Sequence, residues 1–398
     1  MTVSLWQQLE PPCTEIRTGV VIIGAGISGL SAAIECESRG VDAVIVEQDF
    51  PGARASGRNA GYLMRGAAEN YARACADYGR DRARTLWKFT EDNLTALRAL
   101  GVSALPSFAD RPSCLVALDR EEAGDLERSV ELLREDGFDA APIRPGADAP
   151  ADPIWRSGRP LVAMVNPRDA TCSPMELVNL LRSKLRSTHI VQGSRVFAIE
   201  PGGDAVTVRA RGHTIHARHA LVCTNAYARD LLPELAGVVT PNRGQMLAIR
   251  PHDPAHADLA FAYYLSHGSE YIRPGPDATV LIGGARKHRE LEERTDAEGL
   301  NPAVQERLEE WARELITERY EVTARWSGIM GFSPDGLPII RPCRGFDSRV
   351  WFCGGLTGHG MSMGHLTARH AISIMLGDPP SPAGALFAFN EDGSRPGA

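Results

Sequence analysis

Gly24-Ala25-Gly26-Ile27-Ser28-Gly29 sets three glycines at the spacing of a dinucleotide fingerprint, directly after the apolar run Val20-Val21-Ile22-Ile23. In that pattern the first glycine permits a tight turn and the second lets the backbone approach a pyrophosphate. The third allows a helix to pack closely on the strand. The helix that follows offers free N–H groups and a positive dipole end to the anion. Glu47 stands 18 residues past Gly29, at the end of a second apolar run, Ala43-Val44-Ile45-Val46. A carboxylate there accepts hydrogen bonds from ribose hydroxyls and disfavours a 2′-phosphate. The segment Gly52-Ala53-Arg54-Ala55-Ser56-Gly57-Arg58-Asn59-Ala60-Gly61 comes next. Residues this small build no core, but they let a backbone run beside a flat ring while Ser56 and Asn59 offer polar contacts. The fingerprint by itself does not choose among dinucleotides.

These residues need a frame. The two apolar runs and the amphipathic stretch between them, stopped at Gly40, form a βαβ unit. Both runs are apolar throughout, as in a parallel sheet covered on both faces. Leu86, Phe89, Leu94, Leu97 and Leu100 recur at helical spacing, and a Pro-, Asp- and Arg-rich region follows through Pro153. Ser173-Pro174-Met175-Glu176 is a capping box, with Leu177, Leu180, Leu181 and Leu185 on one apolar face behind it. Strand-like pieces at 195–199, 205–210 and 219–224 suit an antiparallel ribbon leading back into the sheet. Residues 241–286 alternate strands with turns, and Asn301-Pro302 starts a helix that buries Val304, Leu308, Trp311 and Leu315.

The 398 residues are 43% hydrophobic and 23% charged, ordinary for a globular chain of one large body or two intimate domains. A net charge of −7 without any basic run argues against a nucleic-acid partner. The opening stretch lacks the cationic start and apolar core of a signal peptide. No run approaches the roughly 18 apolar residues of a spanning helix, so a cytoplasmic protein is expected. The eight cysteines (13, 36, 75, 114, 172, 223, 343, 353) form no C-x-x-C. They read as reduced, packed thiols, with no metal site expected.

The segment Ala55–Gly61, A-S-G-R-N-A-G, resembles the second signature of the flavoprotein family of D-amino-acid oxidase, glycine oxidase and sarcosine oxidase. The third signature resembles Trp326-Ser327-Gly328-Ile329-Met330-Gly331-Phe332-Ser333-Pro334-Asp335-Gly336-Leu337-Pro338. The fourth resembles Gly354-Gly355-Leu356-Thr357-Gly358-His359-Gly360-Met361, at the start of the last helix. The resemblance covers nearly the whole chain. It implies an α/β fold: a Rossmann-like FAD-binding domain with an inserted antiparallel β-sheet substrate domain. Residues 15–85, 155–237 and 325–380 are expected in the FAD domain, and 86–154 and 238–324 in the substrate domain.

The resemblance also implies a set of cofactor contacts. Besides the fingerprint residues and Glu47, these are Gln48, the loop Ser56-Gly57-Arg58-Asn59-Ala60-Gly61, Val196, Thr224, Asn225, Gly328, Gly355 and Gly358-His359-Gly360-Met361. A helix N-terminus at the flavin pyrimidine edge stabilises the negative charge that develops there on reduction. In this family hydride passes from the substrate α-carbon to flavin N5, so orientation matters more than a dedicated acid–base pair. Arginine commonly anchors the substrate carboxylate; glycine oxidase has one in the W-x-G motif, where this chain has Met330. Arg65 is the expected alternative, and Tyr264, His267 and Tyr271 are candidates for the pocket wall. Gly328 stands where sarcosine oxidase attaches its flavin through cysteine, so the FAD is expected to be noncovalent; Cys343 and Cys353 are the nearest alternatives. Lys287 is the lysine in the region where sarcosine oxidase activates oxygen, and the acceptor is expected to be O2 or a quinone. The expected reaction is C–N oxidation of an amine or amino acid to an imine that hydrolyses. The rivals are an FAD-dependent monooxygenase, which lacks support here because Gly354-Gly355-Leu356-Thr357 replaces the hydroxylase G-D motif, and a flavin-binding structural subunit without turnover.

Overall fold

The computed structural model describes residues 13–67, 69–146 and 148–389; the first 12 residues of the opening stretch lie outside the described residues. The chain starts with β1 (Thr14–Ile23), α1 (Ile27–Ser38), β2 (Ala43–Val46), the one-turn α2 (Ala55–Arg58), β3 (Tyr62–Leu63) and the helices α3 (Tyr71–Tyr78) and α4 (Arg80–Ala99). Then come β4 (Ser113–Ala117), α5 (Arg120–Glu135), β5 (Ala141–Ile143), α6 (Pro153–Arg156), β6 (Val162–Asn166), β7 (Ala170–Thr171), α7 (Pro174–Ser183) and β8 (His189–Val191). A ribbon β9 (Val196–Gly202), β10 (Ala205–Ala210) and β11 (His213–Val222) leads to β12 (Thr240–Pro251), β13 (Ala262–Leu265), β14 (Glu270–Pro274) and β15 (Val280–Gly284). The chain closes with α8 (Glu290–Glu293), α9 (Pro302–Leu315), β16 (Tyr320–Phe332), β17 (Ile339–Pro342), β18 (Val350–Gly354), α10 (Gly360–Met375) and α11 (Pro382–Ala385).

Two eight-stranded sheets result. The first runs β17-β18-β11-β1-β2-β8, with β10 and β9 added beside β11. β1 is parallel to both β2 and β11, and β11 is parallel to β18. The fully apolar ends of β1 and β2 are buried on both faces, which is why neither strand alternates. Helices α1 and α10 cover one face, tied by Glu35 to Arg369 at 2.7 Å and by Arg39, which donates to Ser373 Oγ at 2.6 Å. The ribbon is antiparallel through β9, β10 and the first part of β11, while β11 pairs in parallel with β1 along its whole length and its far end also takes β18.

The second sheet runs β16-β12-β15-β14-β13-β4-β6-β5. It is antiparallel except at β13 and β4, which are parallel because they come from chain segments far apart in sequence. Helix α9 packs Val304, Leu308, Trp311 and Leu315 against Leu247, Tyr263, Ile272 and Ile282 in a second core. Each such buried side chain contributes about 1.5–3 kcal/mol. By strand membership β6 and all of β16 belong to this sheet, although boundaries at 155 and 325 assign β6 and most of β16 to the FAD domain. Their backbone pairing, to β4 and to β12, decides their place.

The capping box at Ser173 is half formed. Ser173 Oγ accepts from Glu176 N, but the Glu176 carboxylate turns to Ser107, whose Oγ donates to it at 2.6 Å and accepts from Ser173 N at 2.7 Å. A serine thus stands between the two ends of the box. Among the described residues, no helix is long and apolar enough to cross a membrane.

Candidate active site

A cavity of about 1340 Å³ runs from the C-terminal edge of β1 and β2 to the face of the second sheet. At its first end the glycine turn meets α1. A Cβ on Gly29 would lie 1.8 Å from Gly24 O, so only glycine lets the helix start this close to the strand. Gly26, the N-cap of α1, has no side chain to cap with; Ser56 Oγ accepts the Ile27 N–H at 3.0 Å instead. Glu47 is buried, and its two oxygens accept from Ala25 N at 2.8 Å and Asp49 N at 2.9 Å. One carboxylate thus braces the glycine turn while lining the cavity.

The loop after β2 is held mainly by its own side chains. Asn59 donates to Ala55 O and Ser56 O and accepts from Gly61 N at 2.8 Å, so its polar atoms are occupied within the loop. Arg58 Nε donates to Ser327 O at 2.6 Å, and Trp326 Nε1 donates back to Arg58 O at 2.9 Å. These two bonds join the second signature to the third. The third and fourth are joined in turn: Thr357 N donates to Gly331 O, Ser333 N donates to Thr357 Oγ1, and Asn225 Oδ1 accepts from Gly355 N. Four segments distant in sequence thus make one hydrogen-bonded wall.

At the far end lie Met246, Tyr264, Tyr271, Arg286, Met330 and Phe332, with His359 ahead of α10. Tyr62 meets Tyr264 and Tyr271 edge-on, with ring centroids 4.7 and 6.0 Å apart. A Cβ on Gly283 would fall 2.1 Å from the Tyr271 ring, so that glycine lets the phenol lie against the sheet. Burial pushes the Tyr271 hydroxyl up to about 12. His359 is held down to about 4 by burial, reinforced by the positive charge of Arg286, so its imidazole is neutral near pH 7. Arg286 stands 4.7 Å over the Phe332 ring; the Glu270 and Glu290 carboxylates act on its charge, but among the described residues none forms an ion pair with it. Burial lowers its pKa from a value so high that it stays charged.

Most of the expected contacts line this cavity: Gly24, Gly26, Ile27, Ser28, Glu47, Gln48, Ser56, Arg58, Asn59, Ala60, Gly61, Val196, Thr224, Asn225, Gly328, Gly358, His359, Gly360 and Met361. Gly29, Gly57 and Gly355 do not. Gly29 faces Gly24 O, Gly57 faces Gly52 O and Met175 Sδ, and the Gly355 amide is taken by Asn225. Of the substrate candidates, Tyr264, Tyr271, Met330 and His359 line the cavity and two do not. Arg65 is buried beside Phe138, its guanidinium on Asp139, on Glu91 at 3.1 Å and on Asn166 Oδ1 at 2.7 Å. His267 sits at the β13–β14 turn, where only its neighbour Gly268 reaches the cavity. Lys287, Cys343 and Cys353 are also outside it; Lys287 Nζ lies 3.5 Å from Ser266 O.

Arg286 is the residue that reading the sequence missed. Its signal is faint: Gly283-Gly284-Ala285 ends β15 with Gly284 and Ala285 both at positive φ, a sharp turn that aims the next side chain back at the sheet face.

The residues present fit FAD. The cavity meets the N-termini of both α1 and α10, and the buried Thr224 Oγ1 and Arg54 Nε, both on lining residues, have no hydrogen-bond partner within the protein. The chain is 26% identical over 397 residues to the glycine oxidase of Pseudomonas aeruginosa, covering 92% of this chain and 99% of that one. It is 26% identical over 336 residues to the bifunctional protein ThiO/ThiG of Trichormus variabilis, covering 81% of this chain but only 47% of that protein. The fold superimposes on the crystal structure of glycine oxidase from Geobacillus kaustophilus with a TM-score of 0.76 at 20% identity, over 92% of this chain and 96% of that one. A model of the family described as FAD dependent oxidoreductase matches residues 19–374. The chain accordingly belongs to that family, as an FAD-dependent oxidoreductase.

Proposed function

We propose that this enzyme oxidises the C–N bond of an α-amino acid, or of an amine carrying a carboxylate, to an imine that water hydrolyses. The observation that carries the reading is Arg286: a charged guanidinium on the cavity wall, stacked on Phe332 of the third signature and, among the described residues, in no ion pair with a carboxylate. A substrate carboxylate completes it with charge-assisted hydrogen bonds, and the guanidinium geometry favours two at once. Tyr264, Tyr271 and Met246 then bound the side-chain space, which is apolar and aromatic. Noncovalent FAD, when bound, supplies the two-electron acceptor. His359, neutral and buried, has room to accept a hydrogen bond without adding charge beside the arginine. The similarity to a glycine oxidase supports an amino acid as the substrate class.

The test is an anaerobic panel of D- and L-amino acids, N-methyl amino acids and simple amines, read at the flavin absorbance band. Bleaching by carboxylated amines, with NADH and NADPH inert, is expected. Rapid bleaching by NAD(P)H with every amine inert replaces this reading with a monooxygenase or reductase. Reoxidation with O2 and with a quinone then identifies the acceptor. Acid precipitation, which should leave the colour in the supernatant, tests the noncovalent attachment.

A further inference from the structure

Outside the cavity, the tip of the β13–β14 hairpin meets the first turn of α5. His267, at φ +57° on that tip, donates its backbone N–H to Glu122 Oε1 at 2.6 Å. Asp119 is the N-cap of α5: its Oδ1 accepts from Glu122 N at 2.9 Å, and its Oδ2 is left 3.9 Å from His267 Nε2. One ligating atom from each of the three side chains lies within 4.8 Å of the other two. A separate observation points to a ligand. Glu122 is only 3% exposed, yet its Oε2 has no hydrogen-bond partner, and His267 Nδ1 has none either. A buried carboxylate oxygen left without a partner is costly, and a cation is the usual remedy.

We propose that Asp119, Glu122 and His267 form a site for a divalent transition-metal cation of the zinc or manganese class. Two carboxylates and one imidazole are a donor set such ions accept, and two negative charges match a divalent cation. Bonds of about 2.0–2.1 Å hold ligand atoms roughly 3.3 Å apart, so the three side chains close by about an ångström around the ion. The residues are 3 and 145 positions apart in sequence, so no short ligand spacing announces them. The ion ties the hairpin to the helix. Tyr264 and Tyr271 are paired across that same hairpin and Gly268 lines the cavity, so metal binding stiffens the aromatic wall of the substrate end.

The test uses the tag-free, FAD-loaded protein after dialysis against a chelator, titrated calorimetrically with Zn²⁺ and with Mn²⁺. One equivalent bound with a micromolar or tighter Kd, and a melting temperature raised by several degrees, is expected. Glu122→Gln and His267→Gln should each weaken binding at least tenfold. Asp119→Asn keeps a good helix cap while removing a charged ligand, so it should weaken binding with α5 intact by far-UV circular dichroism. Absence of saturable binding up to millimolar metal, or equal binding by all three variants, overturns the site.

Discussion

Arg65 and Arg286 are both drawn into the protein, and their surroundings differ in one respect. Around Arg65, between α4 and the second sheet, Glu91, Asp139 and Asn166 already meet both terminal nitrogens of the guanidinium, its Nε alone is without a partner, and Asp169 accepts its backbone N–H. Around Arg286 lie the Phe332 ring, Tyr271 and His359, and the Glu270 and Glu290 carboxylates act on its charge without forming an ion pair with it among the described residues. A buried arginine whose acceptors are present holds the fold together. One whose acceptors are absent has capacity left for a ligand. The same distinction separates Asn59, saturated within its loop, from Thr224 Oγ1, buried without a partner on a residue of the cavity wall.

The largest expected effect on stability follows from breaking the ion-paired arginine. Arg65→Met removes the buried partner of Glu91 and Asp139, which keep Arg168, and of Asn166, and should lower unfolding free energy by about 2–3 kcal/mol, measured by urea denaturation. The KM of the fraction that remains folded should not move. A changed KM with unchanged stability would return Arg65 to the substrate site. Next comes the unsaturated one: Arg286→Met should leave stability nearly unchanged and lower kcat/KM for carboxylated substrates by roughly 30- to 1000-fold, about 2–4 kcal/mol. Steady-state kinetics beside a thermal melt separates the two arginines.

Glu47 lies between these extremes, because each oxygen takes one backbone N–H and retains a lone pair. Glu47→Ala should weaken FAD binding by about 1.5–3 kcal/mol, read by flavin titration of the apoprotein. Unaltered affinity with a sharp fall in stability would make it a brace for the turn alone.

The smallest effect concerns a saturated histidine. His365 is buried on α10 with Ser31 Oγ 2.9 Å from its Nδ1, and burial holds it down to about 4, below its ordinary 6.5. Its stabilising contribution is therefore present above pH 6.5 and lost as pH falls toward 4, because the unfolded chain takes up the proton first. Between pH 6.5 and 5 the loss is at most about 2 kcal/mol. Asp169, raised to about 6 by burial, acts in the opposite sense over pH 4 to 6. Melting curves of His365→Gln should show a shallower acid-side decline than the parent; identical slopes would remove His365 from the account.

The cofactor end was legible in the sequence because its chemistry is done by backbone. Gly24, Gly26 and Gly29 must be glycine for local steric reasons, and local reasons leave local patterns. The substrate end was not, because its residues converge from β12, β13, β14, the turn after β15 and β16, and only tertiary structure decides which face each side chain takes. Arg65 looked like an anchor because it follows the loop Gly61–Met64. The acids that occupy it come from residues 91 and 139, which nothing near it in sequence announces. Arg286 had the opposite history: it ends a stretch that reads only as strands alternating with turns, and nothing near it in sequence marks its side chain as facing a cavity.

The most direct measurement compares an α-amino acid that reduces the flavin with its own α-amide, in anaerobic stopped flow on the parent and on Arg286→Met. Free carboxylate against arginine predicts that the parent prefers the acid by two orders of magnitude or more and that the variant loses that preference by slowing on the acid alone. If the parent reduces equally fast with both, or the variant keeps the full preference, the carboxylate is held elsewhere and Arg286 is not the anchor.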